Sequence, residues 1–106
     1  MTLADQHQHD RIDEMIHQRT RLAIMATLAG VESLEFNDLK AQLGLTDGNL
    51  STHAAALERA GYVEIVKSFK GRKPNTLLAI TARGRTALGN YVALLQDILN
   101  KAQGRP

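Results

Sequence analysis

The chain has 106 residues, 43% of them hydrophobic, which is enough for one small folded domain and excludes a disordered chain. It has no cysteine, which excludes disulfides, thiolate metal sites and cysteine nucleophiles and suits a cytoplasmic protein. No apolar run approaches the roughly 18 residues of a membrane-spanning helix, and the segment MTLADQHQHD lacks the basic, apolar pattern of a signal peptide.

The basic residues are concentrated in the second part of the chain. Residues 1–64 contain five Lys/Arg and ten Asp/Glu, whereas residues 65–106 contain eight Lys/Arg and one acid, Asp97. Six of those basic residues lie in the acid-free window between Ile65 and Gln96. Such asymmetry favours a surface that binds a polyanion, and the alternative is chance clustering on a solvated face.

The first predicted element is a helix that follows a polar tail. Residues 1–10 are polar and are expected to fray, and Arg11–Ala29 reads as helical, with Thr20 able to start a second helix. Gly30 then supplies a stop. The early apolar residues of this segment form one short stripe, which consists of Ile12, Met15 and Ile16.

Two helices follow, separated by a tight turn that contains glycine. Asn37 is a good N-cap for a short helix over Asp38–Leu43, and Gly44 ends that helix. Thr46 can cap the next helix, and Gly61 is a natural left-handed stop after it. This pair of helices predicts a helix-turn-helix.

The pattern then changes to the alternation that is typical of strands. Tyr62–Phe69 predicts a strand, Lys70–Asn75 a loop and Thr76–Ile80 the return strand, which together make a β-hairpin. Thr81 then caps a last helix over Ala82–Ala102. The apolar residues of that helix recur at helical spacing, at Leu88, Tyr91, Val92, Leu95, Ile98 and Leu99.

The order of these elements predicts an α+β fold that is mostly α: a winged helix-turn-helix with a two-stranded wing and terminal dimerisation helices. A short extended segment at Leu34–Phe36 precedes the helix pair. We expect one domain over residues 11–102, with tails at 1–10 and 103–106. The apolar stripes of the two terminal helices exceed what so small a core needs, so we expect a two-fold dimer.

One face of the helix between Thr46 and Gly61 carries small or uncharged side chains, where a solvated face would more often carry Lys and Glu. The DNA major groove, about 12 Å wide, admits such a face closely, because Asn, Ser and Thr can hydrogen-bond to bases and Ala can touch the thymine methyl. The candidate base-reading residues are Gly48, Asn49, Ser51, Thr52, Ala55 and Ala56, with Thr46 and Arg59 as backbone candidates. Alternatively, Asp47 and Gly48 only finish the turn, and the helix begins at Asn49.

The chain resembles the compact winged-helix transcriptional regulators related to the MarR and ArsR groups. The resemblance is carried by GLTDGNLSTHAAALERAGYV, GRKPNT and ITARGR, and by IHQRTRLAIMATL, which resembles the first helix of the same regulators. It covers roughly residues 12–100. It implies a dimeric DNA-binding regulator, with the helix from Thr46 to Ala60 in the major groove. The loop Lys70–Asn75 would lie along the backbone or in the minor groove, and the terminal helices would form the dimer.

The basic hairpin agrees with this implied role, because Lys and Arg pair with phosphates and an Arg at a wing tip can enter a narrow minor groove. The candidate backbone residues of the wing are Lys67, Lys70, Arg72, Lys73 and Asn75. Arg83 and Arg85 open a helix whose dipole opposes cations, so we expect them to meet phosphate or an acid. The candidate dimerisation residues are Ile12, Met15, Ile16, Leu88, Tyr91, Val92, Leu95, Ile98 and Leu99.

Other kinds of site have little support in the sequence. No Ser–His–Asp set, phosphate-binding glycine loop or acid pair has a useful spacing, so we expect no enzyme and no cofactor. His7, His9 and Asp10, with His17 nearby, could hold a metal, but we expect no metal site, and His53 reads as a partly buried histidine. We expect a repressor; the alternatives are a winged helix that contacts an acidic protein, and a regulator with a metal or small-molecule pocket at the dimer seam.

Overall fold

The structure, a computed structural model, describes residues 7–105. The fold is mostly helical and contains a three-stranded antiparallel sheet. A 3-10 helix at Gln8–Arg11 is followed by α1 (Arg19–Ala29), β1 (Leu34–Glu35), α2 (Phe36–Leu43), α3 (Asp47–Arg59), β2 (Val63–Lys70), β3 (Lys73–Ile80) and α4 (Ala82–Ala102). The strand order is β1-β3-β2. The predicted fold class, a winged helix-turn-helix, is confirmed.

The core lies where α1, α2 and α3 pack against the sheet. It is mainly aliphatic, as the scarcity of aromatic residues requires. The side chains with no exposed surface are Ile16, Ile24, Met25, Leu28, Leu39, Leu50, Leu57 and Leu78. Because α3 contributes two of these leucines, its orientation is set by burial of one face.

Of the segment predicted to be helical over Arg11–Ala29, only Arg19–Ala29 forms an α-helix, which starts one residue before the second helix start predicted at Thr20. The segment before α1 turns instead, because the Asp13 carboxylate accepts a hydrogen bond from the backbone N–H of Met15 at 2.9 Å. Gln18 then caps α1, with its side-chain oxygen 2.8 Å from the backbone nitrogen of Arg21. The Arg21 side chain holds the turn by donating to the Met15 carbonyl at 2.6 Å. Side-chain hydrogen bonds to the backbone have here replaced helical ones.

The end of the predicted N-terminal tail is ordered into the fold. Gln8 is buried, and its side-chain oxygen accepts a hydrogen bond from Lys101 Nζ at 2.9 Å, which joins the 3-10 helix to the end of α4. A frayed tail is therefore wrong for residues 8–10. Residues 1–6 and Pro106, which the predicted tails include, lie outside the described residues.

The start of α2 also differs from the prediction. The helix begins at Phe36 rather than Asp38, and the N-cap is Glu35, whose side chain makes no capping hydrogen bond. Glu35 is paired with Leu77 in the sheet, so β1 leads directly into the helix. Strand pairing, rather than the capping ability of Asn37, determines where α2 starts.

Both predicted ends of α3 are confirmed. Thr46 Oγ1 accepts a hydrogen bond from the backbone nitrogen of Asn49 at 3.1 Å. The helix begins at Asp47, so Gly48 lies within its first turn, and the alternative that the helix begins at Asn49 is wrong. At the other end Gly61 has φ +81°, and the N–H of Tyr62 donates to a carbonyl of the last helical turn, as in a Schellman motif.

The wing is a tighter hairpin than the sequence predicted. Strands β2 and β3 pair from Val63 opposite Ile80 to Lys70 opposite Lys73, so that the turn contains only Gly71 and Arg72. The predicted loop Lys70–Asn75 is therefore wrong, and Pro74 lies within β3. Proline is tolerated there because β1 pairs only with the far end of β3, which leaves that edge open near the turn.

No helix within residues 7–105 is long and apolar enough to cross a membrane.

Candidate nucleic-acid interface

Helix α3 divides into a buried face and an exposed face, as its sequence predicts. Leu50, Ala54 and Leu57 are buried against the rest of the domain. Of the candidate base-reading residues, the four in the first two turns (Gly48, Asn49, Ser51 and Thr52) are exposed, whereas Ala55 and Ala56 are partly covered. The accessible part of this face is therefore its N-terminal half, the part of a recognition helix that contacts base edges.

The acid at the start of α3 is neutralised within the domain. Asp47 lies 2.6 Å from Lys40 Nζ, which reaches across from α2. Its carboxylate also lies in the first turn, where the helix dipole favours a negative charge. Outside its own helix backbone, no atom of the described residues lies within 4 Å of the Cβ position of Gly48. The first turn of α3 therefore leaves the backbone at Gly48 accessible, next to an acid, Asp47, that is paired with Lys40.

Strand alternation divides the basic wing residues between two faces. Lys67 is on the same face as Ile65, and this face is turned towards α3, because Ser51, Lys67 and Thr76 line one open recess of about 360 Å³. Lys70 and Lys73 belong to the opposite face, and Arg72 is in the turn at the tip. The wing residues predicted to contact the DNA backbone are thus all exposed or partly exposed, but they do not form one patch.

Lys70 already has an ionic partner in the described chain. Its Nζ lies 3.1 Å from Glu35 Oε1, across the outer face of the sheet. Most of the Lys70 side chain is exposed, so this ion pair contributes little stability. It does place an acid beside one of the four basic residues of the wing.

The junction of α3, the wing and α4 is held by hydrogen bonds at Thr81. The Thr81 hydroxyl donates to the Gly61 carbonyl at 2.6 Å and accepts from the backbone nitrogen of Gly84 at 2.9 Å, which confirms the predicted cap. The backbone N–H of Thr81 donates to the Tyr62 carbonyl at 3.0 Å. The end of α3 and the start of α4 are therefore held together.

Gly84 is required at this junction because α4 passes very close to the chain after α3. A Cβ at this position would collide with the Tyr62 carbonyl oxygen and approach Ile80 Cγ1 to 2.9 Å. The sequence does not indicate this requirement, because close approach between distant segments leaves no local pattern.

Tyr62 connects this junction to the N-terminal segment. Its hydroxyl donates a hydrogen bond to the Asp13 carboxylate, and this bond, followed by burial, raises the pKa of Tyr62. The Arg83 guanidinium lies 6.0 Å from the centre of the Tyr62 ring, and Arg85 donates to the Ala29 carbonyl at 3.0 Å. Arg85 therefore meets the C-terminal end of α1, where the helix dipole favours a cation. The expectation was that Arg85 would meet phosphate or an acid, and in the described chain its partner is this carbonyl.

The predicted dimerisation residues divide between the core of the chain and its surface. Ile16 and Tyr91 are buried within the single chain, and Tyr91 accepts or donates a hydrogen bond with His17 at 2.9 Å. Four more pack partly buried against the core, namely Ile12, Met15, Leu88 and Leu95. Val92 and Leu99 are 54% and 46% exposed, and Ile98 is intermediate. An open, mainly apolar groove of about 530 Å³ runs beside Leu88, Gly89 and Val92.

His53 and His9 each lie near a charged side chain. His53 is partly buried, with Nδ1 3.4 Å from Arg21 Nη1. His9 lies 3.2 Å from Asp10 at the surface. In the part of the chain that the structure describes, no group of three or more His, Asp or Glu side chains could hold a metal ion.

The architecture and its exposed helix face define the class: this is a winged-helix protein of the DNA-binding type. The family model described as a winged helix DNA-binding domain matches residues 20–99, and the chain belongs to that family. An uncharacterized protein from Methanocaldococcus jannaschii is 47% identical over 72 residues, which make up 68% of this chain and 78% of that protein.

Solved structures of similar proteins agree with this assignment. A transcriptional regulator homologue from Pyrococcus horikoshii superposes with a TM-score of 0.83 at 26% identity and covers 95% of this chain and 98% of its own. A transcriptional regulator of the MarR family from Enterococcus faecalis superposes with a TM-score of 0.75 at 20% identity and covers 98% of this chain and 94% of its own. The resemblance to compact winged-helix transcriptional regulators is therefore confirmed.

Proposed function

We propose that this chain is a dimeric, sequence-specific regulator of transcription that binds double-stranded DNA and acts as a repressor. One observation carries the proposal: the exposed start of α3, where Ser51 is uncharged and Asp47 is paired with Lys40, borders the same recess as the inner face of the basic wing. A single duplex can therefore touch both elements. The family to which the chain belongs and its structural neighbours support a binding role rather than a catalytic one.

Base reading is assigned to the first two turns of α3. Asn49 can make paired hydrogen bonds to adenine, and Ser51 and Thr52 can bond to several bases. All three side chains are exposed. Gly48 permits close approach of the helix end, and the partly covered Ala55 and Ala56 would touch a base only at the edge of the contact.

Backbone binding is assigned to the basic residues at the margins of this surface. Lys67 faces the recess directly, and Arg72 at the turn can reach the phosphates or the minor groove. Arg59 at the end of α3, together with Lys70, Lys73, Asn75 and Thr46, completes the proposed set. Thr46 Oγ1 already accepts the capping hydrogen bond from the backbone nitrogen of Asn49. Its hydroxyl would therefore contact phosphate by donating its own hydrogen.

A two-fold dimer is assigned to α4 and the segment packed against it. Val92 and Leu99 are exposed on this helix, and burying them against a second copy would remove apolar surface from water. The buried members of the predicted set, such as Ile16 and Tyr91, would support the interface from within each chain. A dimer that covers two half-sites excludes other proteins from that DNA, which is the basis for proposing a repressor.

The proposal is tested by fluorescence anisotropy with duplexes selected from a random pool, measured between about 50 and 200 mM salt. We expect binding that weakens steeply as salt rises, together with an enriched sequence in the selected pool. If no duplex binds at the lower salt and no small molecule restores binding, DNA binding is contradicted and the winged helix would serve a protein partner instead. Restoration of binding by a small molecule would identify an effector.

A further inference from the structure

One large apolar side chain of the wing has no role in the fold. Phe69 is 73% exposed. Among the exposed large hydrophobic side chains of residues 7–105, it has the largest exposed fraction. It lies one residue before the end of β2, opposite Pro74 in β3. The core ends well before this point, since the buried residues nearest the turn are Val63 in β2 and Leu78 in β3. Phe69 is therefore exposed without contributing to the packing of this domain.

The position of Phe69 places it on the face of the wing that is turned towards α3. Side chains alternate along a strand, so Phe69 shares a face with Lys67 and Ile65, which line the recess beside Ser51. Two residues further out, Phe69 lies about 7 Å beyond Lys67 along the strand. A duplex seated on α3 would meet Lys67 first and then Phe69.

The surroundings of Phe69 match a nucleic acid better than an apolar partner. Arg72 lies in the adjoining turn, and Lys70 and Lys73 flank it on the opposite face. From Ile65 to Thr76 the hairpin contains four basic residues and no acid. An apolar protein surface would have to desolvate these charges, whereas a groove lined by phosphates pairs with them while the ring meets the sugars and bases.

We propose that Phe69, with Pro74 beside it, forms an apolar wedge that enters the minor groove at a flexible pyrimidine–purine step. Apolar side chains inserted in this way partly unstack the step and bend the duplex, and they read deformability rather than base edges. The wedge would add a second source of sequence preference to the wing, independent of α3. This inference rests on the proposed DNA-binding function.

The test compares Phe69→Ala and Phe69→Leu with Val66→Ala on selected duplexes. Val66 is a matched control, because it is 43% exposed on the opposite face of the same strand. Each duplex carries 2-aminopurine at one position, whose fluorescence rises when its base is unstacked. Thermal unfolding of each variant checks that the exposed position does not affect the fold.

For wild type we expect a fluorescence rise at one step outside the α3 contacts, and for Phe69→Ala a loss of this signal with about tenfold weaker binding. The salt dependence should not change, because no charge is removed, and Phe69→Leu should keep much of the affinity. Equal binding and equal fluorescence for Phe69→Ala and Val66→Ala would overturn the wedge while leaving the proposed function intact. Absence of any duplex binding by wild type would overturn both. A change in oligomeric state in Phe69→Ala would assign the ring to a contact between copies and overturn the proposal.

Discussion

Single residues at the junction of α3, the wing and α4 determine how α3 is held. Thr81, Gly61 and Gly84 join three elements within a few ångströms through one hydroxyl and two backbone groups. The Tyr62 hydroxyl links the same junction to Asp13 in the N-terminal segment. Substitutions there should change the stability of the domain without removing any group from the proposed DNA surface.

Replacing Gly84 with alanine should destabilise the domain by about 1–3 kcal/mol, because the added methyl group collides with the Tyr62 carbonyl in a packed site. Gly89→Ala is the matched control in the same helix, where no described atom outside the helix backbone lies within 4 Å. It should stabilise by up to about 1 kcal/mol through helix propensity. Urea unfolding of both variants measures the difference, and effects of the same sign would contradict the close approach.

Tyr62 should make stability depend on pH in the alkaline range. Its pKa is raised in the folded state, first by the hydrogen bond to Asp13 and then by burial. The contribution is therefore fully present below the unfolded-state pKa of about 10 and is lost as pH rises through the folded-state value. The difference in unfolding free energy between wild type and Tyr62→Phe should shrink over that window. A difference that stays constant with pH would contradict the Tyr62–Asp13 bond.

At the scale of elements, α3 and the wing are proposed to do different work on the same duplex. Thr52→Ala should alter the preference at one base position by about 1–3 kcal/mol, because it removes a hydroxyl that is proposed to bond to base edges. Arg72→Ala should weaken binding to all duplexes and lower the salt slope by about one unit, because it removes one phosphate contact. Anisotropy titrations over a set of single-base variants separate the two effects. Identical behaviour of the two variants would contradict this division.

The elements also show which local signals the sequence contains. The caps Thr46 and Thr81 and the stop at Gly61 were predictable, because a cap or a left-handed glycine acts within its own turn. The second helix start predicted at Thr20 lies within one residue of the observed start of α1. The turn before it was not predicted, because Asp13 and Gln18 divert the backbone through side-chain hydrogen bonds within an otherwise helical pattern.

Features that depend on distant partners were harder to predict. The start of α2 depends on pairing between β1 and β3, and the need for Gly84 depends on an approach to Tyr62 more than twenty residues earlier. The exposed face of α3 was predictable from residue types, whereas the ion pairs of Lys40 and Lys70 were not. Their acidic partners are respectively seven and thirty-five residues away along the chain.

The molecule as a whole is elongated. Its extents are 60 × 23 × 22 Å and its radius of gyration is 16.2 Å, against about 13 Å for a compact chain of this length. Helix α4 alone has 21 residues, or about 32 Å of helix. Its exposed Val92 and Leu99 lie on an element that extends further than the domain core requires, which fits an interface with a second copy.

Placing a charge on α4 should therefore separate the proposed dimer without unfolding the chain. Val92→Glu puts a carboxylate beside the apolar groove, and burying that carboxylate against a second copy would be costly. Thr86→Glu is the control, because it adds the same charge at an exposed position of α4 away from that groove. Light scattering at micromolar concentration should show a monomer for Val92→Glu and a dimer for Thr86→Glu and wild type. A monomeric wild type would contradict the assembly.

Methylation protection on a selected duplex tests the central claim most directly, because it reports which grooves the protein occupies. If two copies each place α3 in the major groove, guanine N7 should be protected in two patches on one face of the duplex, about 34 Å apart. Thr52→Ala should leave the spacing unchanged. Protection of a single groove, or a uniform pattern with no preferred face, would contradict a dimer that reads DNA through α3.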